Sequence, residues 1–263
     1  MNNYGVFLET AVEAAKAAGA IQKDNFGKKH DVRLKGEADL VTEVDVACEK
    51  AIGEIILSRW PSHAILGEEG GATGESDYLW IVDPLDGTTN YAHHYPHFCS
   101  SVAIEHRDVI VAGAVYDPMR DELFTAARGQ GASLNGGRLV VSNRDSLKES
   151  MLTTGFPYDA ETRVTEALPL FAAVQSEVQA VRRDGSAALN MCYVASGRFD
   201  GFWEISLHAW DVAAGWIIVE EAGGKVTGMD GKPTDIHSGN ILASNSLIHE
   251  AIEKILTGAR IKK

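Results

Sequence analysis

A short apolar run that ends in an acidic turn constrains this chain more than any other stretch. Residues 78–82 (YLWIV) are aromatic and β-branched, which predicts a buried strand. In the next segment, DPLDGTTN at 83–90, Pro84 cannot donate to a continuing ladder and Gly87 permits a sharp turn. Two carboxylates therefore flank a strand end, beside hydroxyl and backbone N–H groups. This arrangement suits a site that binds a metal ion and a phosphate together. The same residue types also occur in ordinary surface turns, so the segment by itself is compatible with either interpretation.

The composition narrows the classes of protein to which the chain can belong. Its 263 residues are 45% hydrophobic and 23% charged, as in globular proteins. The net charge of −13 argues against broad binding to nucleic acid or anionic membranes, because no basic excess is available to neutralise phosphates. The cysteines form no CxxC pair, the N-terminal segment has no apolar signal core, and no apolar run approaches the length of a membrane span. We expect a cytoplasmic protein with no nucleic-acid or membrane partner.

Hydrophobic periodicity predicts helices and strands in alternation along the whole chain. A helical pattern over 4–26 is followed by a second helix up to Trp60, which Thr42 and Asp45 open as a capping box. Strand-like runs separated by turn signals predict an antiparallel meander, at 98–105, 109–116, 122–127 and 138–142. The second half predicts a helix over 161–177 that Pro169 interrupts, and then helices, strands and a Gly-rich hairpin at 225–232.

Five acidic residues lie at predicted strand ends or helix starts, namely Asp45, Glu68, Asp83, Asp86 and Asp211. Each has an ordinary structural explanation, such as a helix cap or a solvated loop. Their joint placement is the informative feature, because α/β sheets gather functional groups at such boundaries. Convergent carboxylates repel one another, so we expect cations between them, and Mg²⁺ prefers carboxylate and carbonyl oxygens.

Several long motifs occur in an order and spacing similar to those of the magnesium-dependent, lithium-sensitive phosphatase superfamily. They are DLVTEVD at 39–45, GEEG at 67–70, DPLDGTTN at 83–90, YDPMRDELFTAARGQGASLNG at 116–136, GSAALNMCYVASGRFDGFWE at 185–204, WDVAAG at 210–215 and EAGG at 221–224. Within it, the chain most resembles the inositol monophosphatase family along nearly its whole length. The resemblance implies a layered α/β fold, an αβαβα sandwich, and a homodimer. It also implies a single phosphatase unit over 1–263, with an N-terminal half at about 1–145 and a C-terminal half at about 146–263.

The resemblance also implies roles for individual residues. The implied ligands of two or three Mg²⁺ ions are Glu68, Asp83, the backbone carbonyl of Leu85, Asp86 and Asp211, with Glu69 and Asp45 at supporting positions. Thr88 is implied to orient the attacking water together with Glu68, so the catalytic group is Glu68, Thr88 and Asp45. The implied substrate contacts are Asp86, Gly87, Thr88, Thr89, Gly185, Ser186, Ala187 and Glu204. Lys35 lies near a basic position of the family but is not assigned, because the loop length differs.

These roles predict hydrolysis of a phosphomonoester by a metal-activated water, with no covalent enzyme intermediate. Glu204 and its FWE context favour a phosphorylated polyol, inositol monophosphate, as the substrate. Fructose 1,6-bisphosphate, histidinol phosphate and nucleotide 3′-phosphates are alternatives within the same chemistry. A non-catalytic regulatory protein on this fold is the alternative from another class.

Overall fold

The computed structural model describes residues 4–28, 32–34 and 40–261. Lys35 and the first residue of the DLVTEVD motif, Asp39, lie outside the described residues. The helices are α1 (Gly5–Asn25), α2 (Glu43–Arg59), α3 (Thr88–Ala92), α4 (Ala160–Thr162), α5 (Leu168–Gln175), α6 (Ala187–Ala195), α7 (Ala209–Glu221) and α8 (His249–Ile261). The strands are β1 (Val32–Leu34), β2 (Leu40–Thr42), β3 (Ala64–Gly67), β4 (Gly71–Thr73), β5 (Tyr78–Asp86), β6 (Cys99–His106), β7 (Ile110–Asp117), β8 (Glu122–Ala127), β9 (Gly131–Leu134), β10 (Gly137–Arg138), β11 (Met151–Thr154), β12 (Ala180–Arg182), β13 (Gly201–Glu204), β14 (Lys225–Thr227) and β15 (Ile241–Ser244).

The first half forms a large mixed sheet with the strand order β10-β9-β8-β7-β6-β5-β3-β4. Strands β6, β7 and β8 form the predicted antiparallel meander, which continues through β9 and β10. On the other side, β5 pairs antiparallel with β6, and β3 pairs with β5 in parallel. The register between β5 and β6 shifts between Asp83 and Asp86. The ladder is therefore irregular where Pro84 removes a backbone donor, so both carboxylates lie at a distorted strand end.

The large sheet is covered on both faces, and the side-chain alternation of β5 shows how. Trp80 and Val82 pack with apolar residues of α1 and α2, whereas Ile81 packs with α6 and α7. Alternate residues of a strand point to opposite faces, so one continuous apolar run fills two cores. The expected burial of residues 78–82 is confirmed for these three residues, while Tyr78 and Leu79 are half-buried.

The second half forms a smaller sheet with the order β12-β11-β13-β15-β14. Phe202 packs towards α6 and α7, and its neighbour Trp203 packs towards α5 and α8. The layers are therefore α1 and α2, the large sheet, α6 and α7, the small sheet, and α5 with α8. This order confirms the expected αβαβα sandwich. Within the described residues, every helix is too short or too polar to span a bilayer.

Three element predictions differ from the structure. The strand predicted at 138–142 is wrong beyond Arg138, where β10 ends, and β9 is a strand that the sequence did not predict. The hairpin predicted at 225–232 is also wrong, because β14 pairs instead with β15. The helix predicted over 161–177 is divided into α4, a π-helical turn at Arg163–Ala167 and α5, with Pro169 in the first turn of α5.

Candidate active site

The predicted capping box at the start of α2 is confirmed. The Asp45 carboxylate accepts the Thr42 amide at 2.9 Å, and the Thr42 hydroxyl accepts the Val44 amide at 3.2 Å. The same carboxylate uses its other oxygen, Oδ1, to accept the Thr88 hydroxyl at 3.1 Å. Burial raises the pKa of Asp45, opposed by the hydrogen bonds from Thr42 and Thr88. Asp45 thus caps a helix and also fixes a residue of the DPLDGTTN segment.

The DPLDGTTN segment is folded by its own side chains. Asp83 Oδ1 accepts the Leu85 amide at 3.0 Å, and the Leu85 carbonyl lies 3.0 Å from the Thr88 hydroxyl. Gly87 has φ +101°, and a Cβ there would lie 3.0 Å from the His97 carbonyl oxygen, so only glycine fits without strain. The turn therefore presents the Asp83 and Asp86 carboxylates and starts α3 at Thr88.

Asp86 connects the two halves of the chain. Its Oδ2 accepts the Ser186 hydroxyl at 2.6 Å and the Ala188 amide at 2.7 Å, both at the start of α6. Burial raises the pKa of Asp86 to about 6, although these hydrogen bonds act in the opposite direction. Ser186 also accepts the Leu189 amide at 3.4 Å and thereby caps the N-terminus of α6. A second link is made by Asn90, whose amide donates to the Asp184 carbonyl at 2.8 Å.

A pocket of about 320 Å³ lies between the two halves and contains most of the predicted site residues. Those on its wall are Glu68, Asp83, Leu85, Asp86, Gly87, Thr88, Gly185, Ser186, Ala187, Glu204 and Asp211. Asp45, Glu69 and Thr89 are not among the wall residues. Asp45 lies directly behind the wall, bonded to Thr88. The structure therefore brings together acids that are more than a hundred residues apart in the sequence.

The electrostatics of the pocket are dominated by negative charge. Burial raises the pKa of Asp83 well above its ordinary value, and the neighbouring carboxylates Glu68, Asp86 and Asp211 raise it further. Removal from bulk water also raises the pKa of Glu204, with Asp211 and Asp86 adding to the rise and Arg183 opposing it. Such a cluster is unfavourable unless cations or protons compensate it.

The donor chemistry of this cluster fits Mg²⁺, because the groups are carboxylate and carbonyl oxygens. Across the described part of the chain, no three His, Cys, Asp or Glu side chains form a ready-made cage for an ion. The ligand roles of the individual residues stay predictions.

Sequence reasoning missed several residues of the pocket wall. Arg183 lies there with its guanidinium 5.6 Å from the centre of the Phe156 ring. Tyr158 belongs to the same wall, and so does Trp210, whose ring stacks on His208 with centroids 4.7 Å apart. The adjacent basic residues before Gly185 were the available signal for Arg183. The aromatic residues carried no such signal, since aromatic side chains are commonly core.

Comparison with known proteins agrees with this geometry. Residues 4–260 match the inositol monophosphatase family. An inositol-1-monophosphatase of Synechocystis sp. is 47% identical over 253 residues, covering 95% of this chain and 88% of that protein. A protein of Pseudomonas aeruginosa named Nus factor SuhB is 42% identical and covers 93% of each chain. A fructose-1,6-bisphosphatase/inositol-1-monophosphatase of Aquifex aeolicus is 41% identical and covers 97% of each.

A solved structure is similar in the same way. The inositol monophosphatase of Anabaena (Nostoc) sp. superposes with a TM-score of 0.90 at 44% identity, covering 98% of this chain and 97% of that one. The family match and these relatives extend over both halves of the chain, which include the acidic pocket. This chain belongs to the inositol monophosphatase family.

Proposed function

We propose that this protein is a Mg²⁺-dependent phosphomonoesterase that hydrolyses inositol monophosphate. The observation that carries the proposal is the pocket between the halves, where the acids of the first half meet Asp211 and Glu204 of the second. A site of this kind provides oxygen ligands for cations together with a carboxylate that can bind a substrate hydroxyl.

Two or three Mg²⁺ ions would be held by Glu68, Asp83, the Leu85 carbonyl, Asp86 and Asp211. Bound ions of this kind neutralise phosphate oxygens, lower the pKa of a bound water and stabilise the leaving alkoxide. The contribution of the chain is to hold these groups together on the wall of one pocket.

The attacking water would be oriented by Glu68 and Thr88. The Thr88 hydroxyl is fixed between Asp45 Oδ1 at 3.1 Å and the Leu85 carbonyl at 3.0 Å, which limits its rotation. Asp45 therefore acts by setting the direction of the Thr88 hydroxyl. A water oriented in line with the phosphorus–oxygen bond attacks directly, so no covalent enzyme intermediate is needed.

The substrate would lie across both halves. Its phosphate would contact the N–H and hydroxyl groups of Gly87, Thr88 and Thr89. The Thr89 hydroxyl is buried and has no hydrogen-bond partner within the described residues, which supports a role in binding a ligand. Thr89 itself does not line the pocket. The polyol hydroxyls would meet Asp86, Gly185, Ser186, Ala187 and Glu204.

A second candidate substrate is fructose 1,6-bisphosphate. The Aquifex aeolicus relative carries this activity in its name together with inositol monophosphatase. Arg183 on the pocket wall is a cation suited to a second phosphate. Several relatives are named Nus factor SuhB, which favours a further role besides phosphate release, whereas the complete acidic pocket favours retained hydrolysis.

The test is a panel of phosphomonoesters assayed for phosphate release with Mg²⁺, after chelation, and with added Li⁺. Inositol 1-phosphate should be hydrolysed with the highest kcat/KM, the rate should vanish after chelation, and Li⁺ should inhibit. Equal kcat/KM values for inositol, sugar, histidinol and nucleotide phosphates would remove the inositol assignment. Undiminished hydrolysis after thorough chelation would remove the metal mechanism.

The proposal extends to the state of the protein. We propose a homodimer with a cytoplasmic location, as the family resemblance implies. The acidic net charge of −13 supports the absence of broad nucleic-acid binding. Light scattering of the purified chain distinguishes a dimer of about twice its 28.3 kDa mass from a monomer.

A further inference from the structure

The loop that carries Glu68 is held by a carboxylate outside the motifs. Glu49 of α2 accepts the Glu69 amide on Oε2 at 2.9 Å and the Gly70 amide on Oε1 at 2.6 Å. The preceding amide, that of Glu68, donates to the Val82 carbonyl of β5 at 3.2 Å. Three consecutive backbone amides are therefore hydrogen-bonded, two of them to one side chain. These bonds restrain the backbone of the loop, and with it the direction in which the Glu68 side chain extends.

Two glycines of the GEEG motif make room for this carboxylate. A Cβ at Gly67 would lie 2.5 Å from Glu49 Oε2, and a Cβ at Gly70 would lie 2.6 Å from Oε1. Both distances are far below van der Waals contact. Neither glycine has a positive φ, so the backbone itself does not require glycine at these positions. The space for the Glu49 carboxylate is the structural reason for both.

Glu49 lies four residues after Asp45, on the same face of α2. Asp45 holds the Thr88 hydroxyl at 3.1 Å, and Glu49 holds the loop of Glu68. One turn of a single helix thus anchors the two residues that would orient the attacking water. Because a helical turn is rigid, it sets the separation between them.

We propose that Glu49 is a positioning residue for hydrolysis, acting through the Glu68 loop. The proposal rests on the proposed function of Glu68 as a metal ligand and water-orienting group. Groups that orient metal ligands typically change metal affinity or activity by about 10–100-fold when they are substituted. A carboxylate that receives two backbone N–H groups is a strong restraint of this kind.

The first experiment compares Glu49→Gln and Glu49→Ala with Glu54→Gln. Glu54 lies on the same helix, with its side chain 70% exposed and a surface ion pair to Lys50 at 3.9 Å. Glu49→Gln keeps the length but retains a single acceptor oxygen, so one amide loses its partner. We expect kcat for inositol 1-phosphate to fall about tenfold in Glu49→Gln and further in Glu49→Ala. The Mg²⁺ concentration for half-maximal rate should rise, KM should change much less, and Glu54→Gln should match wild type.

The second experiment separates position from charge. Gly67→Ala keeps the Glu49 carboxylate in the protein but places a methyl group where its oxygens lie. It should reproduce the loss in kcat seen with Glu49→Gln. In the Glu49→Ala background the same methyl group meets no carboxylate, so Gly67→Ala should then have little further effect. Additive losses in this double-mutant cycle would overturn the positioning role.

A binding readout keeps this proposal separate from the proposed function. The rise in Tm on adding Mg²⁺ to the chelated protein should be smaller in Glu49→Gln than in wild type or Glu54→Gln. If wild type released no phosphate from any ester, the proposed function would fail, and this Tm difference would still decide the role of Glu49. If Glu49→Gln had the same kcat, Mg²⁺ requirement and Tm response as wild type, the positioning role of Glu49 would be overturned, even if its Tm without Mg²⁺ were lower.

Discussion

Asp211 and Glu204 lie on the same pocket wall, but they have different roles in the proposed reaction. Asp211→Asn removes a charged ligand oxygen, so we expect kcat to fall about 100-fold or more. In the wild-type protein the His208 amide donates to Asp211 Oδ2 at 2.7 Å. The side-chain oxygen of the asparagine can still accept this hydrogen bond, so α7 stays capped. Glu204→Gln weakens one bond to a substrate hydroxyl, and we expect about a tenfold loss in kcat/KM, mainly through KM. Steady-state kinetics with saturating Mg²⁺ measures both, and equal losses would contradict the division of roles.

Gly155 determines where the Glu204 carboxylate lies. A Cβ at Gly155 would lie 2.0 Å from Glu204 Oε1, so Gly155→Ala must displace the carboxylate. We expect KM for inositol 1-phosphate to rise about tenfold with a smaller change in kcat. Gly53→Ala is the control, because its new methyl group would come no closer than 4.0 Å to Ile65. An unchanged KM in Gly155→Ala would show that the Glu204 position is unimportant for substrate binding.

At the residue scale, the sequence was sufficient for side chains whose role shows in local context. Asp83 and Asp86 stand out because an apolar strand, a proline and a glycine surround them in the sequence. Gly155 and Glu49 could not be identified in this way, because each acts on atoms that are distant in the sequence. Glu49 also resembles any other acidic residue on a helix until the GEEG loop packs against it.

At the scale of elements, His249 joins α8 to the small sheet. Its ring nitrogens lie 2.8 Å from the Thr227 hydroxyl of β14 and 2.8 Å from the Ser244 hydroxyl of β15. Thr227 donates to the Gly228 carbonyl, so it accepts from Nε2, and Nδ1 must accept from Ser244. Burial, and then the positive charge of Lys225, lower the pKa of His249 to about 4.

This arrangement predicts a loss of stability in acid. The folded pKa of His249 lies below the unfolded value of about 6.5. Above pH 6.5 the ring is neutral in both the folded and the unfolded chain, so it does not lower the free energy of unfolding there. As the pH falls towards 4, only the unfolded chain takes up the proton, and the free energy of unfolding should drop by about 3 kcal/mol. Urea unfolding across this range should show a smaller drop in His249→Gln than in wild type. Identical pH dependence in the two proteins would contradict the prediction.

Elements were predicted best where local pattern and tertiary pairing agree. The meander is encoded by successive strands with turn signals between them, and the structure confirms it. Residues 225–232 have the local signals of a hairpin, yet β14 pairs with β15, which begins at Ile241. Pairing with a partner more than ten residues away leaves no local signature, so the sequence alone favoured the nearer partner.

At the scale of the whole molecule, the large and small sheets share one apolar cluster, and residues of both halves line one pocket. The cluster that contains Ile81 of β5 and Phe202 of β13 also contains α6 and α7, so both sheets pack on the same helices. Arg198 pairs with Glu122 of β8, and Asn90 holds the turn at Asp184. We therefore expect one cooperative unfolding transition. The resemblance to the family implied this layered architecture from the sequence. The ion pair and the hydrogen bond that connect the two halves could be identified only from the structure.

Metal removal tests this architecture and the site together, because the acids that repel one another belong to both halves. Adding Mg²⁺ at about 100 times its dissociation constant should stabilise the chelated protein by about 2.7 kcal/mol, a rise in Tm of about 5 to 10 °C. Asp83→Asn keeps an acceptor for the Leu85 amide and removes a charge surrounded by Glu68, Asp86 and Asp211. Its Tm without Mg²⁺ should therefore exceed that of wild type, and most of the response to Mg²⁺ should be lost. Scanning calorimetry of both proteins, with and without chelator, measures these shifts. A lower Tm for Asp83→Asn together with a full Mg²⁺ response would mean that this carboxylate is neither repelled by its neighbours nor needed for the ion.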